Sequence, residues 1–520
     1  MSTGFTAGAF ETYRSSATLA HNNDKLSFRV SYSLLESAGY RQNNETKREQ
    51  IGASLSYKIS QKHTLSLLAV GTKLFARIPS AINETDFNNN PKKAAANWAL
   101  IKGYEDYDRF ILGLTHKVQM GEKTNLSTTL FVNTKESYEP RPFNTLTENT
   151  NAIGIRSVYT SNWKNVATTI GYEAFHDRND WKIYEHTYDS DGQLTNADVI
   201  PLQYEEQRTY INAFTDNTIT LSEKASLTVG LNVNDTWYQF TDGTNPSSNT
   251  QSDYSFGVII SPKIGGTYKL NSSQTLFTNI SHGFSPPSLE ETLYPDGQIN
   301  PNIKPESGWN FESGLRGNSK HFNYNLTAYY MLIRDLLVAQ RTAEDTYVGV
   351  NAGRNNHFGV EASGNYFITL SPNYFLNIFG AVNYSDFRFG RFENEGVNYD
   401  GNALTGVAKW NGNIGIELIS TSGFYGNITS RYMDKIPMND ANTKYTQAYF
   451  ILDTKVGYRL EVGRLLFDGY LGLNNLTDTH YASMILINAT GFGAALPRYY
   501  YPGNPRNLFA GVQLKVRLGK

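Results

Sequence analysis

Three short elements join arginine to aromatic side chains in segments that read as loops. They are Tyr138-Glu139-Pro140-Arg141-Pro142-Phe143, Gln340-Arg341-Thr342 and Pro497-Arg498-Tyr499-Tyr500-Tyr501-Pro502. A guanidinium presents a fixed fork of donors to a carboxylate, and tyrosine adds flat contact area that tolerates water. Arg141, Arg341, Arg498, Tyr499 and Tyr500 are therefore the candidate contacts for an anionic ligand. The competing reading is structural, with each arginine snorkelling at an interface or closing a loop salt bridge.

Other chemistry finds less support. Tyr188-Asp189-Ser190-Asp191-Gly192 starts like a calcium loop but lacks the later ligands and the terminal glutamate, so it reads as an Asp-Gly turn. The nine histidines are scattered and none shows HExxH spacing. Axial haem ligation by loop histidines such as His176 and His186, with His357 and His480 elsewhere, is weighed against plain solvation, which the scatter favours. No GxSxG, Walker loop or GxGxxG occurs. Carboxylate pairs such as Asp106 and Asp108 share one strand face, expected to be the one turned to the interior. A β-rich glycosidase is the enzyme alternative, and it needs two buried carboxylates ~5–9 Å apart. The expectation is no catalysis, no resident metal and no cofactor.

The elements that must position these groups are strands. Phe450, Leu452, Thr454, Val456, Tyr458 and Leu460 alternate with Ile451, Asp453, Lys455, Gly457 and Arg459, and the same period recurs near the start over residues 26–34 and 51–59 and near the end over 508–518. Period 2 puts one apolar and one polar face on each strand. Short turns such as Asn22-Asn23-Asp24, Glu223-Lys224 and Thr421-Ser422-Gly423 alternate with long polar connections, roughly 76–104, 178–203, 241–253, 286–306, 389–404, 435–445 and 483–504. That rhythm predicts an up-and-down antiparallel sheet of about twenty-two strands, counting Thr3–Phe10 and Arg14–Ala20 as a first hairpin. So long a sheet closes into a barrel to remove its edges.

Composition bounds the class. The chain has 520 residues, and its aromatic content of 13% excludes disorder. No apolar run of ~18 residues is present, which excludes helical spans. Forty-six Lys+Arg against 48 Asp+Glu leave a formal charge of -2, so no electrostatic footprint for nucleic acid exists. Cysteine is absent, which excludes disulfides and thiolate sites. Polar faces on nearly every strand, segments of ten or more residues, and aromatics at segment ends favour a transmembrane barrel over a soluble sandwich or propeller. Met1-Ser2-Thr3-Gly4-Phe5 is no export signal, so the expectation is a cytosolic chain or one given without its natural start.

Four motifs in order carry a family resemblance. Asn300-Pro301-Asn302-Ile303-Lys304-Pro305-Glu306, followed by Glu312-Ser313-Gly314-Leu315-Arg316, resembles the NPNLKPE…E-x-G-x-R/K element of TonB-dependent outer-membrane receptors. Ser281-His282-Gly283-Phe284-Ser285-Pro286-Pro287 resembles that family's S-x-G-F-x-x-P strand end, and Val350-Asn351-Ala352-Gly353 with Gly359-Val360-Glu361 its NAG…GvE strand. Asn474-Asn475-Leu476-Thr477-Asp478 through Tyr481 resembles its NLFD-x-x-Y segment. The residues of these motifs are expected to shape the barrel rather than touch cargo. The resemblance implies residues 1–520 as one outer-membrane β-barrel domain of a Gram-negative bacterium, facing lipid and binding a metal-chelate ligand at its outer mouth. Uptake would serve a ferric siderophore or ferric citrate-like complex. Cobalamin, haem or a passive porin-like channel are the alternatives, and a soluble β-rich enzyme ranks last. It further implies a plug and a TonB box. Neither is found, so TonB is expected to act only through a missing N-terminal region, and the chain alone is expected to conduct as a leaky pore.

Overall fold

The computed structural model describes residues 1–188, 194–195, 202–244, 250–287, 300, 303–343, 346–394, 396–491 and 495–517, leaving aside the side chains of residues 187–188, 194–195, 250, 339–343 and 346–347. Twenty-two antiparallel strands close one barrel. Two shorter segments, Thr250–Ser255 and Ile259–Lys269, pair with the same neighbour, Ala225–Asp242, and are halves of one strand interrupted by a bulge. The seam joins Ser2–Gly8 to Asn507–Val516, from Ser2 opposite Lys515 to Gly8 opposite Phe509. The first hairpin predicted from sequence is present: Ser2–Gly8 pairs with Thr12–Asn22, and the turn places Phe10 and Glu11 at φ 60 and 52.

Alternation decides the two faces. On Tyr449–Val462, Phe450, Val456, Tyr458 and Leu460 are exposed on the outer face, while Asp453, Lys455 and Arg459 line the lumen. Aromatics mark both margins of the apolar band. Phe322 and Tyr330, Tyr366 and Phe358, Phe424 and Tyr432, Tyr458 and Phe450 each stand eight residues apart on one strand, with all eight rings outward and well exposed. Eight residues span about 27 Å along a strand. At a ~40° tilt that is about 21 Å along the bilayer normal, close to the ~25 Å apolar band of such barrels.

The wall is uneven in height. Strands from Tyr104–Gly121 to Ala225–Asp242 run 17 to 20 residues, whereas Phe424–Met433, Leu465–Asn474 and Asn507–Val516 have 10 each. Ten tilted residues suffice to cross the band, so the long strands stand out above it at the end that bears the long connections. There the faces exchange polarity without a change of register. On Val166–Glu185, Ile170 and Tyr172 are exposed to the outside lower down, but higher up Trp181 is buried on the inner side. Below the boundary the outside is lipid, and above it the outside is water. Asp106 and Asp108 correct the sequence expectation accordingly. They share the face of Phe110 and point outward above the band, where Asp108 pairs with Lys73 at 3.0 Å.

The connections expected to be long are long, and all lie at the tall end; the structure adds 335–353, which holds the hairpin Leu337–Ala343 with Thr346–Asn351. Family motifs shape the backbone here. Asn351 accepts from Lys304 N at 2.9 Å and donates to Lys304 O and Asp335 O, so the segment around Lys304 docks on the NAG segment. Asn475, only 2% exposed, takes a left-handed φ of 49 and holds Thr479 and Asn504 through its amide, launching the last long connection.

Lumenal tyrosines tie strands together two at a time. Thr6, Gly511 and Tyr470 occupy one row across the seam. Because Gly511 has no side chain, the Tyr470 ring lies over it and its hydroxyl bonds Thr6 Oγ1 at 2.7 Å. Tyr425 likewise crosses Gly457 and donates to Asp468 Oδ1 at 2.7 Å. A Cβ at either glycine would meet the ring within 2.5 Å.

Two outcomes follow from this geometry. Leu452→Arg or Leu514→Arg places charge on the lipid face and should cost ~2–4 kcal/mol near the midplane, whereas Gln513→Ser on the lumenal face should be tolerated; urea titration in lipid vesicles compares them. Gly511→Val expels Tyr470 from the seam and should slow formation of the heat-modifiable barrel on unboiled gels, while Tyr470→Phe, which loses one hydrogen bond only, should change stability by about 1 kcal/mol.

Candidate functional site

The low side of the wall is crowned by connections 38–45, 78–103, 392–409, 434–448 and 475–506. Within them two short helices form, Glu84–Asn89 and Ala96–Ile101. The first starts on Asn83, whose side chain accepts from Asp86 N at 2.9 Å. Three short strands, Ile82–Asn83, Arg498–Pro502 and Ala482–Ile485, make a separate sheet with Arg498–Pro502 in the middle. Over it packs a small core of Ile82, Phe87, Met438, Ala489, Tyr499 and Tyr500.

Polar contacts lock the same loops. Asp440 and Asn488 exchange two hydrogen bonds of 3.0 Å, and Asn442 bridges Ala403 with bonds of 2.7 and 2.9 Å. Lys444 pairs with Glu84 at 2.8 Å and stands 5.2 Å from the centre of the Tyr499 ring. Arg41, 6% exposed, donates to Ser80 O and Lys93 O at 2.7 and 2.8 Å, clamping connection 78–103 to 38–45. Among the described residues no carboxylate pairs with it, and burial lowers its pKa to about 10.

The predicted contact residues occupy three places. Arg498, Tyr499 and Tyr500 come together in the central strand of the loop sheet. Arg498 donates to Asn97 Oδ1 at 3.0 Å. Tyr499 and Tyr500 are each 5% exposed, and Tyr500 stacks on Phe87 at 4.5 Å. Their immediate work is to hold the loops. Arg141 sits in the tight turn between two tall strands and pairs with Glu139 at 2.7 Å. Gly103 is wedged between Trp98 and Pro140, so the Arg141 turn abuts the helix whose Asn97 holds Arg498. No described contact joins Arg141 to Arg498. Arg341 lies in Leu337–Ala343, and its side chain falls outside the described residues, as do residues 189–193 of the Asp-Gly turn.

Sequence reasoning passed over the inner wall of the tall side. Leu146, Trp181, Tyr204 and Phe240 form a buried cluster there, and Arg208 pairs with Asp177 at 2.5 Å below it. Tyr238 stacks on Tyr254 at 4.6 Å alongside. The signal was present as a phase change, since Tyr204 and Trp181 fall on the parity opposite to Ile211 and Ile170. The four histidines weighed for haem are dispersed: His176 bonds Thr209, His186 bonds Thr145, His357 stacks on Phe387 and His480 packs at a tilt against Phe87. Among the described residues no group of three or more His, Cys, Asp or Glu is arranged to hold a metal ion.

A barrel of this size, with long loops knit at one end and short turns at the other, defines a class that comparison with known proteins makes specific. Residues 3–476 match the family described as TonB dependent receptor-like, beta-barrel, and the chain belongs to that family. The vitamin B12 transporter BtuB of Photobacterium profundum is 29% identical over 91 residues, which cover 18% of this chain and only 15% of that relative. Among solved structures, the ferric citrate transporter FecA in unliganded form superposes with a TM-score of 0.81 at 15% identity, covering 99% of this chain and 78% of that one. The copper transporter OprC gives 0.77 at 16% identity, covering 98% and 82%. These superpositions establish the shared fold.

Burial, followed by the nearby Glu84, pushes the Tyr500 hydroxyl up to about 12. A phenol whose folded pKa is raised stabilises the loop core fully below its unfolded value of ~10 and loses that contribution as pH rises through the folded value. Difference absorbance at 295 nm between the wild type and Tyr500→Phe should therefore show no phenolate component near pH 10, with the component emerging close to pH 12. A component at pH 10 would mean that this core is open to water.

Proposed function

We propose that the chain is the membrane barrel of a TonB-dependent receptor in the outer membrane of a Gram-negative bacterium, taking up a scarce metal chelate of ferric siderophore or ferric citrate type. Family membership over residues 3–476 carries the receptor reading. The chelate reading is supported by the arginine and tyrosine chemistry of the long-loop end. Arg141, Arg341 and Arg498 supply charge to an anionic chelate, and Tyr499 and Tyr500 fix the loop frame that presents Arg498. TonB acts through an N-terminal segment outside this sequence, and the surrounding partner is membrane lipid.

Each charge-assisted hydrogen bond from a guanidinium to the chelate contributes roughly 1.5–3 kcal/mol. In the receptor reconstituted with its plug, Arg141→Ala, Arg341→Ala or Arg498→Ala should weaken ferric citrate or ferric siderophore binding by about ten- to a hundredfold, with heat modifiability unchanged. Equilibrium binding measured by tryptophan quenching decides it. Unchanged affinity in all three variants removes this site. Binding of cobalamin or haem in place of the ferric complexes would redirect the cargo assignment within the same receptor class.

A further inference from the structure

The lumenal wall is electrically uneven, and the unevenness falls in one sector. Several lumenal cations elsewhere pair with carboxylates of neighbouring strands, while Arg109, Arg316 and Lys455 contact an amide or aromatic rings instead. Arg156 pairs with Glu173 at 3.5 Å, Arg208 with Asp177 at 2.5 Å, Lys263 with Asp216, and Arg459 with Asp468 at 3.1 Å. The five strands Ser2–Gly8, Thr12–Asn22, Leu26–Ser37, Thr46–Lys58 and His63–Arg77 differ. Pairing and parity place Arg14, Arg29, Arg48 and Lys58 on their lumenal face, and no carboxylate. Glu36 and Glu49 of the same strands point outward, where both contact Lys47. Among the described residues Arg14, Arg29 and Arg48 make no ion pair and no side-chain hydrogen bond, and all three are exposed.

These charges are spread along the axis. Arg14 and Arg48 flank Leu35 in one row, two strands apart, which is about 10 Å, in the half nearer the long loops. Arg29 lies six residues further down Leu26–Ser37, or about 20 Å, and Lys58 stands at the short-turn margin. Between them the face is mostly serine and threonine, including Ser54, whose exposed hydroxyl is free to donate to an oxygen in the lumen. Like charges left unpaired along an aqueous lumen with low-dielectric walls repel one another and focus a field attractive to anions.

We propose that this sector is an anion track, the side of the lumen along which a multiply charged anionic cargo passes, with Arg14, Arg48 and Arg29 as its specificity-determining residues. The proposal rests on the uptake reading above, because a track along the lumen serves a cargo that crosses it. It is testable without a receptor ligand.

The 520-residue chain is inserted in planar bilayers and its reversal potential is read in a KCl gradient. The wild type should prefer chloride, and citrate added on either side should reduce the chloride current. In the triple variant Arg14→Gln/Arg29→Gln/Arg48→Gln the anion-to-cation permeability ratio should fall by about threefold or more, and citrate block should be lost. The paired control Arg156→Gln/Glu173→Gln, which leaves its sector neutral, should keep the wild-type ratio. An unselective or cation-selective wild type overturns the proposal, as does a correctly inserted triple variant with wild-type selectivity. Should the triple variant not insert, Arg14→Lys/Arg29→Lys/Arg48→Lys must retain the preference, and the wild-type sign still decides. Ferric chelate binding to the plugged receptor is read separately: binding with no anion preference removes the track alone, and anion preference with no chelate binding removes the cargo assignment alone.

Discussion

Everything in this molecule depends on hydrogen-bonding the backbone where no water can do it. In the bilayer core an unpaired N–H or C=O costs several kcal/mol, so a sheet that crosses it must have no edge. The chain meets that demand by pairing Ser2–Gly8 with Asn507–Val516 and every other strand with its neighbours. Once the ladder is closed, all chemistry is pushed into what the ladder does not consume: the lumenal side chains and the connections at the tall end. The seam has the weakest claim to stability, because one of its strands is only seven residues long. Tyr470 reaching across Gly511 to Thr6 strengthens the ladder there.

The loop assembly at the mouth is a small soluble protein built on a membrane scaffold. It has its own three-stranded sheet, its own core around Met438, and a buried cation, Arg41, held by two backbone carbonyls. Such a frame presents side chains at its margin with little conformational freedom, which is the arrangement that makes ligand contacts effective. It crowns the low side only. Opposite stands the tall wall with Trp181, Tyr204 and Phe240 on its inner surface.

Much of the fold was legible because period 2 is a local property. The alternation around Leu452 and Tyr458, the short and long connections and the strand count all follow from residues read a few at a time. Two things did not. Asp106 and Asp108 were assigned to the interior because alternation alone cannot say where lipid gives way to water, and only the height of the neighbouring strands reveals it. Tyr499 and Tyr500 read as open ligand contacts, yet their burial needs Ile82, Phe87 and Met438 from connections far away in sequence. The arginines of the lumen were visible as polar residues on their strands. That Arg14, Arg29 and Arg48 lack partners, while Arg156 and Arg459 have them, is a property of neighbouring strands and emerges only from the register.

The seam also sets a timetable. Thr6 and Tyr470 are separated by 464 positions, and the first strand finds its second neighbour only when residues 507–516 are available. Closure is thus the last event of assembly. Until it happens, both edge strands are exposed templates for pairing with any other chain. A nascent barrel of this design is safest when the two edges are kept apart from other chains until the final strand arrives, so a carrier that shields the first strand would guard the one step that local pairing cannot hasten.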